Sequence, residues 1–266
     1  MSKTIGIAGL GWLGKPLALT WQNLGYTVRG TVTSIEKATK FQLRGVTAFP
    51  MELSETGVSG EPVAFLKDLH TLVVMIPPGL RRNTGADYVM KMTHFLSYIE
   101  DANIRNCIFI SSTSVYGDAQ GTVTEKDVPR PENEAGRQLL QAEQLFFTSS
   151  MSTTIVRFGG LLGGSRQPAR YMAGRTSLRG GEAPVNLIHR QDCIGILTEI
   201  LKTEAYGHIF NAVHPDHPTK KDYYVAKAIE LGLDPPEFAD ASDETYKQVD
   251  SVHLKTLLEY QFQSPI

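Results

Sequence analysis

Thr4-Ile5-Gly6-Ile7-Ala8-Gly9-Leu10-Gly11-Trp12-Leu13-Gly14-Lys15-Pro16-Leu17-Ala18 opens a sequence of 266 residues. Ile5, Ile7 and Ala8 predict a short strand buried on both faces, as in a parallel sheet. The spacing Gly9-x-Gly11-x-x-Gly14 follows at once, and Leu17, Leu19, Trp21 and Leu24 predict an amphipathic helix after it. In a strand-turn-helix unit of this kind each glycine has a mechanical reason. Gly9 makes the tight turn, Gly11 leaves room for backbone to approach a pyrophosphate, and Gly14 lets the helix pack closely on the strand. The diphosphate then rests on the amides of the helix N-terminus, where the helix dipole favours negative charge. In this context the spacing predicts a dinucleotide site formed by Gly9, Leu10, Gly11, Trp12, Leu13 and Gly14.

Outward from that unit, strands and helices alternate. A second strand is predicted over 26–32, a helix over 36–44 and a strand over 47–49, followed by a variable stretch with Gly57, Gly60 and Pro62. Thr71 to Ile76 is an apolar strand stopped by Pro77-Pro78-Gly79. A helix over 86–103 sets Val89, Met92, Leu96 and Ile99 on one stripe. A strand over 107–112, a helix over 134–148 and a strand over 154–157 complete the series. The alternation predicts an α/β fold with a Rossmann-like, doubly wound parallel sheet. After Gly159 the pattern loosens into a glycine- and arginine-rich loop, a helix over 190–203, a strand over 208–212 and a polar remainder. The expected division is a dinucleotide-binding core over 1–160. A mixed segment over 161–266 would complete the sheet and form a small C-terminal substrate lobe.

Composition narrows the classes without choosing among enzymes. The chain is 41% hydrophobic and 20% charged, with a net charge of -2 at pH 7. That balance gives no case for binding nucleic acid or an anionic membrane surface. Met1-Ser2-Lys3 runs straight into the first strand, so no signal peptide is expected, and no apolar run reaches transmembrane length. Cys107 falls in an apolar strand and Cys193 in a helix-like segment, so a structural disulfide is not expected and a reducing cytoplasm is. A homodimer is left open.

The string Phe109-Ile110-Ser111-Ser112-Thr113-Ser114-Val115-Tyr116-Gly117-Asp118 resembles the fifth-strand motif of the extended short-chain dehydrogenase/reductases, the NAD-dependent epimerase/dehydratase family. Arg157 to Gly163, Asn186 to Asp192, and Gly207 to Asn211 match further family stretches in the family's order. More narrowly, Gly9–Gly14 and Ser111–Val123 resemble the atypical, YeeZ-like branch. The resemblance implies an oxidoreductase or epimerase/dehydratase acting on a small anionic or nucleotide-sugar substrate. It breaks at the chemistry. The family places a Tyr and, four residues later, a Lys on one helix face, where the phenol moves the proton and the ammonium lowers its pKa. Glu143 resembles the glutamate four positions beyond that Lys, which puts Ala135 in the Tyr slot and Leu139 in the Lys slot. Pro129 to Ser150 contains no Tyr and no Lys, so no shift of register supplies the pair. Tyr223 and Lys227 share that spacing but lie far along the chain and read as a coincidence on a surface helix.

What remains for catalysis is Ser112, matching the family's hydrogen-bonding Ser/Thr, and Tyr116 as a displaced phenol. Each has a plain alternative: a strand-end hydroxyl bonded to its own backbone, and an aromatic packed beside substrate. A non-catalytic dinucleotide sensor or scaffold therefore stands as the second reading. Cofactor contacts are expected from the glycine turn, Thr33, Ser34, Ile76, Pro77, Pro78 and Ser111. NAD sites usually carry an acid at the end of the second strand. Here Thr31-Val32-Thr33-Ser34 has none before Glu36, leaving room for a 2′-phosphate near Lys37 or Arg29, so NADP is expected over NAD. Between Phe158 and Gly181, Arg166, Arg170, Arg175 and Arg179 occur with no acid. Arginine suits bidentate phosphate or carboxylate recognition, and Arg166, Arg170 and Arg175 are the expected substrate contacts. His214-Pro215-Asp216-His217 reads as a surface loop, and no metal site is expected. His189 and Asp192 read as a structural pair, with Asp192 binding backbone amides.

Overall fold

The computed structural model describes residues 3–79, 87–239 and 245–266. Met1 and Ser2, and Ala86 at the expected start of a helix, lie outside them. The described chain begins with β1 (Thr4–Ala8), α1 (Gly14–Asn23), β2 (Thr27–Val32), α2 (Ile35–Gln42) and β3 (Thr47–Ser54). Next come β4 (Gly57–Gly60), α3 (Pro62–Leu66), β5 (Thr71–Val74), α4 (Tyr88–Asp101) and β6 (Asn106–Ser112). A 3-10 turn over Thr113–Val115 leads to β7 (Gly121–Val123), α5 (Glu134–Phe147) and β8 (Ser152–Phe158). The remainder is β9 (Gly160–Leu162), α6 (Ala169–Met172), β10 (Leu187–His189), α7 (Arg190–Thr203), β11 (Ile209–Ala212), α8 (Lys220–Glu230), β12 (Lys247–Val249) and α9 (His253–Thr256).

Eight strands form one sheet in the order β11-β8-β6-β5-β1-β2-β3-β4. β1 pairs in parallel with β2 on one side and β5 on the other, and β2–β3 and β5–β6 are also parallel. The chain thus winds outward from β1 in both directions, which is the doubly wound arrangement. Its switch point lies between β1 and β5, and in such sheets the crevice beyond the strand carboxyl ends takes the ligand. Both faces of the inner strands are covered, as the apolar runs require: Ile5, Ile7 and Leu72 are fully buried. The variable stretch after β3 is ordered. β4 pairs antiparallel with β3, and α3 starts on Pro62, which fits a first helical turn because its missing N–H would be unsatisfied there anyway.

The helix faces follow the 3.6 period with one change from expectation. In α1 the buried stripe is Gly14, Leu17, Ala18 and Trp21. Leu19 and Leu24 are 39% and 50% exposed, because they fall off that stripe. Trp21 is fully buried and its indole Nε1 donates to Thr198 Oγ1 at 3.0 Å. In α4, Met92, Phe95, Leu96 and Ile99 are buried.

The chain forms two compact units. The first comprises Met1–Ser112, Asn133–Val156 and Leu197–Ile209, and the second Thr113–Glu132, Arg157–Ile196 and Phe210–Ile266. The second carries two small parallel pairs, β9 with β10 and β7 with β12. Its apolar cluster joins Leu162, Val185, Leu187 and Tyr223. Cys107 and Cys193 are buried and free.

Candidate functional site

The glycine turn sits at the carboxyl end of β1, at the switch point. Gly9 has φ +113°, a conformation that side chains disfavour, and its amide donates to Thr31 Oγ1 at 3.0 Å. The next amide, of Leu10, donates to the Thr31 carbonyl at 2.8 Å, so β2 holds the turn in place. A Cβ on Gly14 would stand 2.1 Å from the Gly9 carbonyl oxygen and 3.0 Å from Met75 Sδ, so α1 packs there only as glycine. A Cβ on Gly11 would meet nothing within 4 Å. One glycine is thus needed by the fold, and the other faces open space. Ser34, Asp87, Asn133 and Thr219 cap α2, α4, α5 and α8 with side-chain hydrogen bonds, whereas α1 begins without such a cap. The space at Gly11 and the positive end of the α1 dipole suit this cradle to an anionic group.

At the end of β2, Thr33 is exposed and receives the Lys37 ammonium on its hydroxyl at 3.0 Å. Ser34 is spent on capping α2, its Oγ accepting from the Lys37 amide. Glu36, the nearest acid, is engaged by Lys40 at 2.6 Å. Arg29 lies mid-strand, and its guanidinium donates to the Lys67 carbonyl, which removes it from the expected 2′-phosphate position. Across the crevice, Ile76, Pro77 and Pro78 follow β5. The Ile76 carbonyl accepts from the Tyr88 hydroxyl at 2.8 Å, and burial holds that phenol well above its ordinary pKa.

On β6, Ser111 is buried and its hydroxyl donates to the buried Glu143 carboxylate of α5. Ala135 and Leu139 stand eight and four residues before Glu143, on the same helix face. Leu139 is buried and Ala135 half-buried, and neither side chain can exchange a proton. Ser112 ends β6 and is half-buried.

In the second unit Tyr116 is 1% exposed. Its hydroxyl receives Arg157 Nη1 at 2.7 Å and lies 3.0 Å and 3.1 Å from the acceptors Thr124 O and Asn211 Oδ1. Burial raises its pKa, against a lowering by the Arg157 charge. The phenol is enclosed in the unit's own polar core. Nearby, Glu125 accepts from the Asn211 amide, Ser251 hydroxyl and Val252 amide.

A cavity of about 840 Å³ opens in the same unit. Its lining includes Arg179, Lys220, Lys247, Asp118, Tyr224 and Tyr246. Of the arginine run only Arg179 is on it. Arg166, Arg170 and Arg175 are exposed elsewhere on the loop, Arg170 on α6. Lys220 and Lys247 lie outside any motif in the sequence, and nothing local marks them as partners of Arg179.

Other singled-out residues serve the framework. Asp192 is fully buried and accepts from Gln263 and Ser264 amides at 2.8 and 3.2 Å and from the Tyr260 hydroxyl, binding a distant segment. The loop over 214–217 turns its imidazoles inward: His217 Nδ1 meets the Val185 carbonyl at 2.8 Å and His214 packs on Phe262. Tyr223 is buried in the apolar cluster while Lys227 pairs with Glu230. Among the described residues no group of three His, Cys, Asp or Glu is arranged to hold a metal, and no helix is long and apolar enough to cross a membrane.

No family model matches the chain. Protein YeeZ of Escherichia coli K12 is 35% identical over 268 residues, spanning 99% of this chain and 97% of its own length. The protein of that name from Escherichia coli O157:H7 matches equally. Two solved structures share the fold over nearly the whole chain. MoeE5 in complex with UDP-glucose and NAD is 20% identical with TM-score 0.79, covering 99% of this chain and 94% of its own. UDP-glucuronic acid 4-epimerase from Bacillus cereus in complex with NAD is 19% identical with TM-score 0.80, covering 98% and 92%.

Proposed function

The chain belongs to the YeeZ family, and from that membership we propose that it binds a nicotinamide dinucleotide at the Gly9–Gly14 turn and a small anionic ligand, of nucleotide-sugar type, in its second unit. The observation that carries the proposal is the division of labour in the turn: Gly14 is closed by contact with Gly9 and Met75, while Gly11 is open. The sugar-nucleotide and NAD complexes among its structural neighbours support the ligand classes. Gly9 to Gly14 would hold the diphosphate, and Thr33 with Lys37 the adenosine ribose. With an ammonium on Thr33 and no free acid beside it, that ribose end favours a 2′-phosphate and therefore NADP. The anion would be held by Arg179, Lys220 and Lys247. Two buried free cysteines suit a reducing compartment, and we assign the protein to the cytoplasm.

A bound nicotinamide supplies hydride transfer. The proton that must accompany it has no donor at Ala135 or Leu139, and Tyr116 is held within a buried network. Ser112 remains as a hydrogen-bond donor, and the two slots that hold the family's proton relay carry Ala135 and Leu139. This favours a dinucleotide-dependent sensor or scaffold over an oxidoreductase or epimerase/dehydratase of ordinary rate. Mass spectrometry of the small molecules that copurify with the protein tests the binding claim. A nicotinamide dinucleotide is expected, and a different ligand retained at the glycine turn would contradict it.

A further inference from the structure

The cavity of the second unit carries three cations and, among its described lining residues, one acid. Arg179 is exposed, and the Lys220 ammonium lies over Gly180, 3.7 Å from where a Cβ there would stand. Neither has an ion-pair partner among the described residues. Lys247 is different. Its side chain is 15% exposed, and its ammonium is held between the Tyr116 carbonyl at 2.9 Å and Asp118 Oδ1 at 2.8 Å.

The two holders of Lys247 differ in kind. Tyr116 is fixed at its other end by Arg157, Thr124 and Asn211, so its carbonyl keeps the ammonium in place. Asp118 is 79% exposed, and releasing its carboxylate into water costs little because the group is already hydrated. An incoming anion can therefore take the place of Asp118 on Lys247 without moving the lysine.

We propose that Asp118 is a built-in surrogate anion that sets the charge threshold of this cavity. It neutralises Lys247 until a ligand of two or more negative charges, a phosphate ester or diphosphate, displaces it. A monoanion gains too little from Arg179 and Lys220 alone to compete. The inference rests on the reading that this cavity takes the anionic ligand, and it adds what selects among anions.

The test is calorimetric titration of the full chain with inorganic pyrophosphate, and with acetate as a monoanion, at low ionic strength. The proteins are the parent, Asp118→Asn, Lys247→Met, the double variant and Lys220→Met, each checked for an unchanged melting temperature. Asp118→Asn is expected to bind pyrophosphate about two- to fivefold more tightly, the range of an exposed ion pair. The gain should shrink as salt is raised and vanish in the Lys247→Met background. Acetate binding should become measurable in Asp118→Asn. If Lys220→Met binds pyrophosphate like the parent, or the parent does not bind it, the cavity reading fails and takes this inference with it. If Lys220→Met loses binding while Asp118→Asn is no tighter than the parent, the role of Asp118 alone is refuted. An equal gain in the Lys247→Met background also refutes it, since the effect would then be general charge.

Discussion

Thr33 shows how one short side chain sets a preference. Its hydroxyl supports the Lys37 ammonium at 3.0 Å, at the strand end where an acid would bind a ribose 2′-hydroxyl. Asp in its place would take that ammonium as a salt-bridge partner and repel a 2′-phosphate. Thr33→Asp is therefore expected to shift preference from NADPH toward NADH, read as the ratio of dissociation constants in parallel fluorescence titrations. A parent protein that binds NADH more tightly than NADPH would contradict the assignment. Tyr116 teaches the opposite lesson at the same scale. Its place in the sequence motif suggests a phenol near substrate, yet Arg157, 41 positions away, and Asn211, 95 positions away, enclose its hydroxyl.

Among the elements, β1, the glycine turn and α1 were legible because the apolar run, the glycine spacing and the helical stripe that mark them lie in one short stretch of sequence. Ile5 and Ile7 fill the sheet, and Gly14 meets Gly9 five residues back. β4 and α3 were not legible, since a four-residue strand and a five-residue helix are too short to show a period. The cavity's cations could not be read either. Arg179, Lys220 and Lys247 come from a loop, the start of α8 and β12, and only tertiary structure joins them. α5 is the element on which chemistry turns. Glu143 accepts from Ser111, a bond its sequence position did not announce, and the two slots before it on that face are Ala135 and Leu139. A positioned acid–base group is typically worth about 10²–10⁴ in rate. NADPH oxidation with carbonyl or sugar-nucleotide substrates is accordingly expected to run at least about 10²-fold below that of relatives carrying the pair. Turnover at their rate, unaffected by Ser112→Ala and Tyr116→Phe, would mean that an unassigned group delivers the proton.

For the whole molecule, buried acids of high pKa set the response to alkali. Burial raises the pKa of Tyr88, Tyr116, Tyr206, Tyr223 and Tyr224, Tyr223 to about 12, and of the thiols Cys107 and Cys193. A raised native pKa means that the folded state holds its proton more tightly than the unfolded state. The resulting stability is fully present below the ordinary values, 10.0 for tyrosine and 9.0 for cysteine, and is lost as pH rises above them. Denaturant midpoints are expected to be insensitive to these groups at neutral pH and to fall steadily above about pH 10; a midpoint that rises there would contradict the burial. The central claim, that the Gly9–Gly14 turn is a dinucleotide site, is tested most directly by titrating NADPH into the parent and into Gly11→Val. A side chain at position 11 meets no protein atom in its first carbon, so the variant should keep the parent's melting temperature. It should lose NADPH binding, because the valine occupies the space of the pyrophosphate. A folded Gly11→Val that binds NADPH as the parent does would contradict the account.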